Sequence, residues 1–173
     1  VDVELTLSDR VVDLVDEGSD AVFRVGPLVD SSLIARPLRP MTFTVCAAPT
    51  DLAAHGHPDK PADLEDHESL GFMHGNTRDQ WRFAGPDGLE TVELSYRFLA
   101  NNGQALLTAA LAGLGIMLQP SSLVQGEIEA GRLVRLLPGY EPPPRAMHIL
   151  YAPDRRITPK LRSFVDFAVA HFG

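Results

Sequence analysis

A chain of 173 residues, 45% hydrophobic and 22% charged, has the composition of a folded globular protein and excludes a disordered or fibrous one. Its net charge of -8 argues against a surface that neutralises phosphates with clustered Lys and Arg, and no apolar run reaches the roughly 20 residues that span a bilayer. One cysteine, Cys46, leaves no internal disulfide to expect, as in a reducing compartment.

Val1, Val3, Leu5 and Leu7 alternate with Asp2, Glu4, Thr6 and Ser8, the period of a half-exposed strand. A chain that opens directly on a strand reads as part of a longer protein. Ser8 or Asp9 then caps a predicted helix with the stripe Val11, Val12, Leu14 and Val15, ended by Gly18. Residues 20–25 are nearly continuous in apolar character, as a strand buried on both faces would be. Strand, helix, strand predicts a right-handed parallel crossover. A long strand-like run over 33–48 is broken by Pro37 and Pro40. A short helix over 62–67 and a hairpin around Gly85-Pro86-Asp87-Gly88 follow, with Trp81 and Phe83 before the turn and Val92 and Leu94 after it.

Strand and helix then alternate again. Residues 96–100 read as a strand, Asn101-Asn102-Gly103 as a turn and cap, and 105–112 as a buried helix ended by Gly113 or Gly115. A strand over 116–118 ends at Gln119-Pro120; Ser121 or Ser122 caps a helix that stops at Gly131; 133–137 is a strand. Pro138, Pro142, Pro143 and Pro144 stiffen a connector before a strand over 147–151. Thr158-Pro159 opens the last helix as N-cap and first residue, with Leu161, Phe164, Val165, Ala168 and Phe172 as its stripe. The prolines near 40 and 142 divide the chain into two α/β lobes joined by two crossover segments. Residues 1–43 with 147–173 make the first lobe and 44–146 the second, with a ligand cleft expected between them.

Catalytic chemistry has little to rest on. His55-Gly56-His57 lacks a third close metal ligand and reads as a surface loop. Cys46, beside alanines, reads as a small buried thiol without a base to activate it. Asp9, Asp13, Asp16, Glu17 and Asp20 read as a solvated face rather than paired catalytic carboxylates. Gly113 and Gly115 follow a helix instead of opening one, so they form no phosphate loop. Trp81 reads as hairpin packing. The informative places are Ser8-Asp9 and Asn101-Asn102-Gly103, where a strand end meets a helix start whose free N–H groups attract anions. Both are also plain helix caps.

Several strings together carry a resemblance. They are Leu7-Ser8-Asp9-Arg10, Val12-Asp13-Leu14-Val15, Asp20-Ala21-Val22-Phe23-Arg24-Val25-Gly26, Asp30-Ser31-Ser32-Leu33-Ile34-Ala35-Arg36-Pro37-Leu38, and Cys46-Ala47-Ala48-Pro49. With Gly113-Leu114-Gly115-Ile116, Gly131-Arg132-Leu133-Val134 and residues 159–167 in the same order, the whole chain resembles the effector-binding domain of LysR-type transcriptional regulators. The resemblance implies two Rossmann-like lobes, as in type 2 periplasmic binding proteins. It also implies a small-molecule effector between them, possession by a cytoplasmic bacterial regulator, and a homodimer or tetramer. DNA would be bound only through an N-terminal domain that this sequence does not contain. It further implies that the domain's own first strand and helix are missing before Val1. By position, the ligand contacts it implies are Ser8, Phe23, Val25, Asn101, Asn102 and Gln119, with no metal, cofactor or catalytic residue and no membrane. Strand alternation points Arg24 away from Phe23 and Val25. Two other readings stand beside it: a solute-binding protein for transport, which shares the lobes, and an enzyme, for which no cluster of catalytic groups is present.

Overall fold

The computed structural model describes residues 2–7, 18–28, 32–74, 77–78, 80–153 and 158–173. The predicted helix over 9–17 and the candidate Ser8 lie outside the described residues. The chain divides into two compact units, Val1–Met41 with Pro144–Gly173, and Thr42–Pro143.

The first unit is a three-stranded sheet in the order β1-β11-β2, made of β1 (Val22–Val25), β2 (Ile34–Met41) and β11 (Arg145–Tyr151), with the helix α4 (Pro159–Phe172). All its pairings are antiparallel: Phe23 lies opposite Ile149 and Arg24 opposite His148, while Leu38 lies opposite Met147. The parallel crossover expected from residues 1–25 is therefore corrected. Residues 2–7 form no ladder among the described residues, and β1 joins its sheet antiparallel. Nor is β1 buried on both faces, since Phe23 is 42% exposed. A continuous apolar run does not distinguish a central strand from an edge strand with one packed side. Pro37 and Pro40 sit inside β2 rather than interrupting it. An edge strand tolerates prolines because an outward N–H has no ladder partner to lose.

α4 begins as the sequence predicts. The Thr158 hydroxyl accepts the Leu161 N–H at 3.2 Å and Pro159 is the first helical residue. Its Val165 and Ala168 pack with Leu38, Ile149 and Tyr151, and the ring of Phe164 meets Phe23 edge-on with centroids 6.2 Å apart.

The second unit is built on a mixed sheet. Here β10 (Val134–Arg135) pairs with β3 (Phe43–Ala47), β3 with β9 (Ile116–Pro120), and β9 with β4 (Ser69–His74), which also pairs with β8 (Tyr96–Ala100). β4, β8 and β9 are mutually parallel, whereas β3 runs antiparallel to β9. A short strand β5 (Thr77–Arg78) turns back on β4. One face of the sheet carries Cys46, Leu70 and Met117 against Leu106, Leu107 and Ala110 of α2 (Gly103–Leu111) and Val124 of α3 (Ser121–Glu129). The other face carries Val45, Ala47, Ile116 and Leu118 against Trp81, Phe83 and Val92 of the hairpin β6 (Trp81–Gly85) and β7 (Gly88–Val92).

Trp81 and Phe83 are buried at 1% and 0% exposure, as hairpin packing requires. A 3-10 helix, Pro61–Asp66, stands where a short helix is expected. The helix α1 (Pro49–His55) is not expected from the sequence reading. Its signals are nevertheless present, with Pro49 at the start and Gly56 just past the end at a φ of 88°.

Candidate functional site

Because β4, β8 and β9 are parallel, their carboxyl ends lie on one edge of the second unit's sheet. The antiparallel β3 brings its amino end to the same edge, with Thr44 opposite Gln119 and Phe43 opposite Pro120. Two helices start there, α2 after β8 and α3 after β9. Open α/β sheets bind ligands at this kind of edge, beyond the carboxyl ends of their strands.

Asn102 is the N-cap of α2. Its side-chain oxygen accepts the Ala105 N–H at 3.0 Å and its carbonyl accepts the Leu106 N–H. That leaves the N–H groups of Gly103 and Gln104 as the helix's own unpaired donors. Asn101 and Asn102 are exposed, while Gln119 is buried at 2% exposure. Gln119 nevertheless reaches the start of α2: a Cβ built on Gly103 would stand 2.9 Å from its Oε1. Asn102 and Gln119, assigned from sequence to two separate strand ends, are thus brought together. The cap expected of Ser121 or Ser122 is corrected: Pro120 occupies the N-cap position, and the Ser121 hydroxyl bonds Thr44 Oγ1 at 2.8 Å. The Ser121 N–H donates to the Thr42 carbonyl. Thr44 and Ser121 are therefore site-edge residues that sequence reasoning missed, and only the β3–β9 register reveals them.

Phe23 and Val25 belong to the first unit, on the β1 face that meets Phe164. Arg24 alternates to the opposite face, opposite His148. Away from the site edge, His55 closes α1, and its Nδ1 lies 3.0 Å from the buried Asp51 carboxylate. Among the described residues, no group of three or more His, Cys, Asp or Glu side chains is arranged to hold a metal ion. Cys46 is fully buried, and burial pushes its thiol up to about 12 because the low-dielectric interior disfavours a thiolate. A neutral thiol is a packing group rather than a nucleophile. Among the described residues, no helix is long and apolar enough to cross a membrane.

Comparison with known proteins identifies the family of the chain. The model of the LysR substrate binding domain matches residues 1–173. The chain belongs to that family. It is 32% identical to the HTH-type transcriptional regulator YhjC of Escherichia coli over 96% of its length and 56% of the relative's. To the transcriptional activator AaeR of the same species it is 34% identical, over 98% of its length and 55% of the relative's. The chain thus spans about half the length of the curated relatives it matches. Among solved structures, the CrgA regulatory domain from Neisseria meningitidis superposes with a TM-score of 0.84 at 32% identity, covering 96% of this chain and 81% of that one. The regulatory domain of AphB from Vibrio vulnificus gives 0.80 at 34%, covering 97% and 83%.

The chain is therefore an effector-binding regulatory domain of the LysR type, with the mixed α/β fold of those domains. LysR-type regulators bind small-molecule effectors and DNA and oligomerise; the family is one of transcriptional regulators, not of enzymes or transport proteins.

Proposed function

We propose that this domain senses a small carboxylate at the strand-end edge of its second unit and passes that occupancy to DNA binding by a parent regulator working in the cytoplasm as a homo-oligomer. One observation carries the reading: a nearly fully buried carboxamide, Gln119, reaches the start of a nine-residue helix whose first two N–H groups have no intrahelical acceptor. Helix-start donors with a dipole behind them favour negative charge. Asn101, Asn102 and Gln119 are the proposed contacts in this unit; Ser8, Phe23 and Val25 remain the proposals for the first. Signalling requires that the effector bind two states of the protein with different affinity.

The test is a thermal-shift titration of the chain with acetate, benzoate and succinate, then with the corresponding amides. A carboxylate held at 100 times its Kd raises stability by about 2.7 kcal/mol through mass action. The expected result is a rise for at least one carboxylate that its amide does not reproduce and that Gln119→Ala abolishes. A carboxylate effect that survives Gln119→Ala undiminished overturns the assignment of the site.

A further inference from the structure

Arg24 is the charged residue of β1, and it is better buried than the apolar residues on either side of it. Arg24 is part-buried while Phe23 and Val25 are exposed. A charged group taken partly out of water is normally paired. Arg24 makes no hydrogen bond or ion pair among the described residues. Directly opposite it stands His148 of β11. Strand alternation puts both on the face turned away from Met147, Ile149 and α4. Opposite side chains of an antiparallel pair have Cβ atoms about 4.5–5.5 Å apart. The Nδ1 of His148 is buried and has no hydrogen-bond partner among the described residues, although buried polar groups are otherwise partnered. The sheet supplies no acceptor for either group. In the same row β2 offers Pro37, and the next row is Val22, Leu150 and Ala35. The strands β1, β2 and β11 contain no Asp or Glu. Past Arg24 the face is open, since a Cβ built on Gly26 would meet no atom within 4 Å.

We propose that Arg24 and His148 form a phosphate-binding site of the first unit. The inference does not rest on the carboxylate reading of the second unit. A guanidinium stays charged and presents a fork of N–H donors that matches two phosphate oxygens. Imidazole is the side chain that takes up a proton near neutral pH, and an anion beside it favours that proton. Two positive charges then face one doubly charged anion, with no carboxylate of these strands opposing it. A monocarboxylate would engage the fork and leave the second charge unmatched. The buried ring nitrogen has already given up its water, so an acceptor that reaches it gains a hydrogen bond at little further cost in desolvation.

The test is a titration of the chain at constant ionic strength, set with chloride. Proton–nitrogen correlation spectra read the imidazole nitrogens of His148 and the Nε–H of Arg24, assigned by their loss in His148→Phe and Arg24→Gln. Inorganic phosphate is expected to move both sets together to saturation. Acetate at the same concentrations is expected to bind them roughly tenfold more weakly, and Arg24→Gln to weaken phosphate binding by a similar factor. Gln119→Ala is expected to leave the phosphate response unchanged. A stronger response to glycerol phosphate than to inorganic phosphate upholds the site and marks a phosphomonoester as its ligand; the reverse upholds it for the free ion. The melting temperature in chloride separates a ligand site from a structural pair. Because neither group has a partner, Arg24→Gln and His148→Phe are expected to leave it unchanged or raised. Signals that phosphate does not move, or that acetate moves as readily, overturn the proposal. A marked fall in melting temperature in both variants overturns it too, by showing that the protein itself holds the two side chains.

Discussion

The two units bury their apolar residues differently. The second packs both faces of its sheet, one under α2 and α3 and the other under the β6–β7 hairpin, with Trp81, Phe83, Ile116 and Met117 essentially out of solvent. Among the described residues the first has one cluster of five buried residues between its sheet and α4. Exposed large hydrophobics follow the same division. Among the described residues, Val3, Leu5, Leu7, Phe23, Val25, Leu28, Phe167 and Phe172 are in the first unit, and only Leu89 and Phe98 in the second. Charge divides in parallel. The second unit has 13 Asp and Glu against 6 Lys and Arg, a net -7, and the first 10 against 9, a net -1. Among the described residues the unit with the candidate site edge is thus the better packed, and it carries nearly all the net negative charge of the sequence. A ligand carboxylate would be held there against a repulsive background, by local donors rather than by net charge.

The sharpest challenge to this contrast is truncation of one aromatic in each unit. Trp81→Ala should cost about 3–5 kcal/mol, because a fully buried ring leaves a cavity. Phe23→Ala, at 42% exposure and with an edge-on contact to Phe164, should cost no more than about 1.5 kcal/mol. Urea unfolding followed by hydrogen exchange at β9 and β11 separates the two. Equal costs would dissolve the distinction.

A second, intermediate effect belongs to the second unit alone. The unfolded Cys46 thiol ionises near 9.0 while the folded one is pushed up to about 12, so the folded state holds the proton more tightly. That stability is present in full below about pH 9 and is lost as pH rises from there toward 12. Between pH 8 and pH 10 the loss is about 1.4 kcal/mol, and it should vanish in Cys46→Ala when both are compared by urea denaturation. An unchanged pH slope in Cys46→Ala would mean that the thiol is not held neutral. The smallest effect pairs one helix cap from each unit. Asn102→Ala and Thr158→Ala should each cost about 1 kcal/mol, read as a shift in denaturation midpoint. A much larger cost at Asn102 would point to a role beyond capping.

What the sequence made legible was local. The cap and first turn of α4, the strand over 96–100, the Asn102 cap and the hairpin glycines are all written within a few residues of where they act. The two compact units part at Met41 and Pro144, within a few residues of the prolines from which two lobes are expected. Strand direction and burial depth were not legible, since β1 and β2 owe their edge positions to β11, more than a hundred residues further along. The site divides the same way. Asn102 and Gln119 could be named as strand-end residues, but the closeness of Gln119 to Gly103 depends on two strands flanking β4, which no local pattern encodes.

The prolines of β2 have a further consequence for association. An incoming strand needs a regular row of donors and acceptors, and Pro37 and Pro40 withhold two donors from that border of the first unit's sheet. The opposite border, β1, has no proline and displays Phe23 and Val25. Self-templated aggregation of a partly opened domain would therefore start at β1, and a lysine or proline placed there would suppress it more than any change on β2.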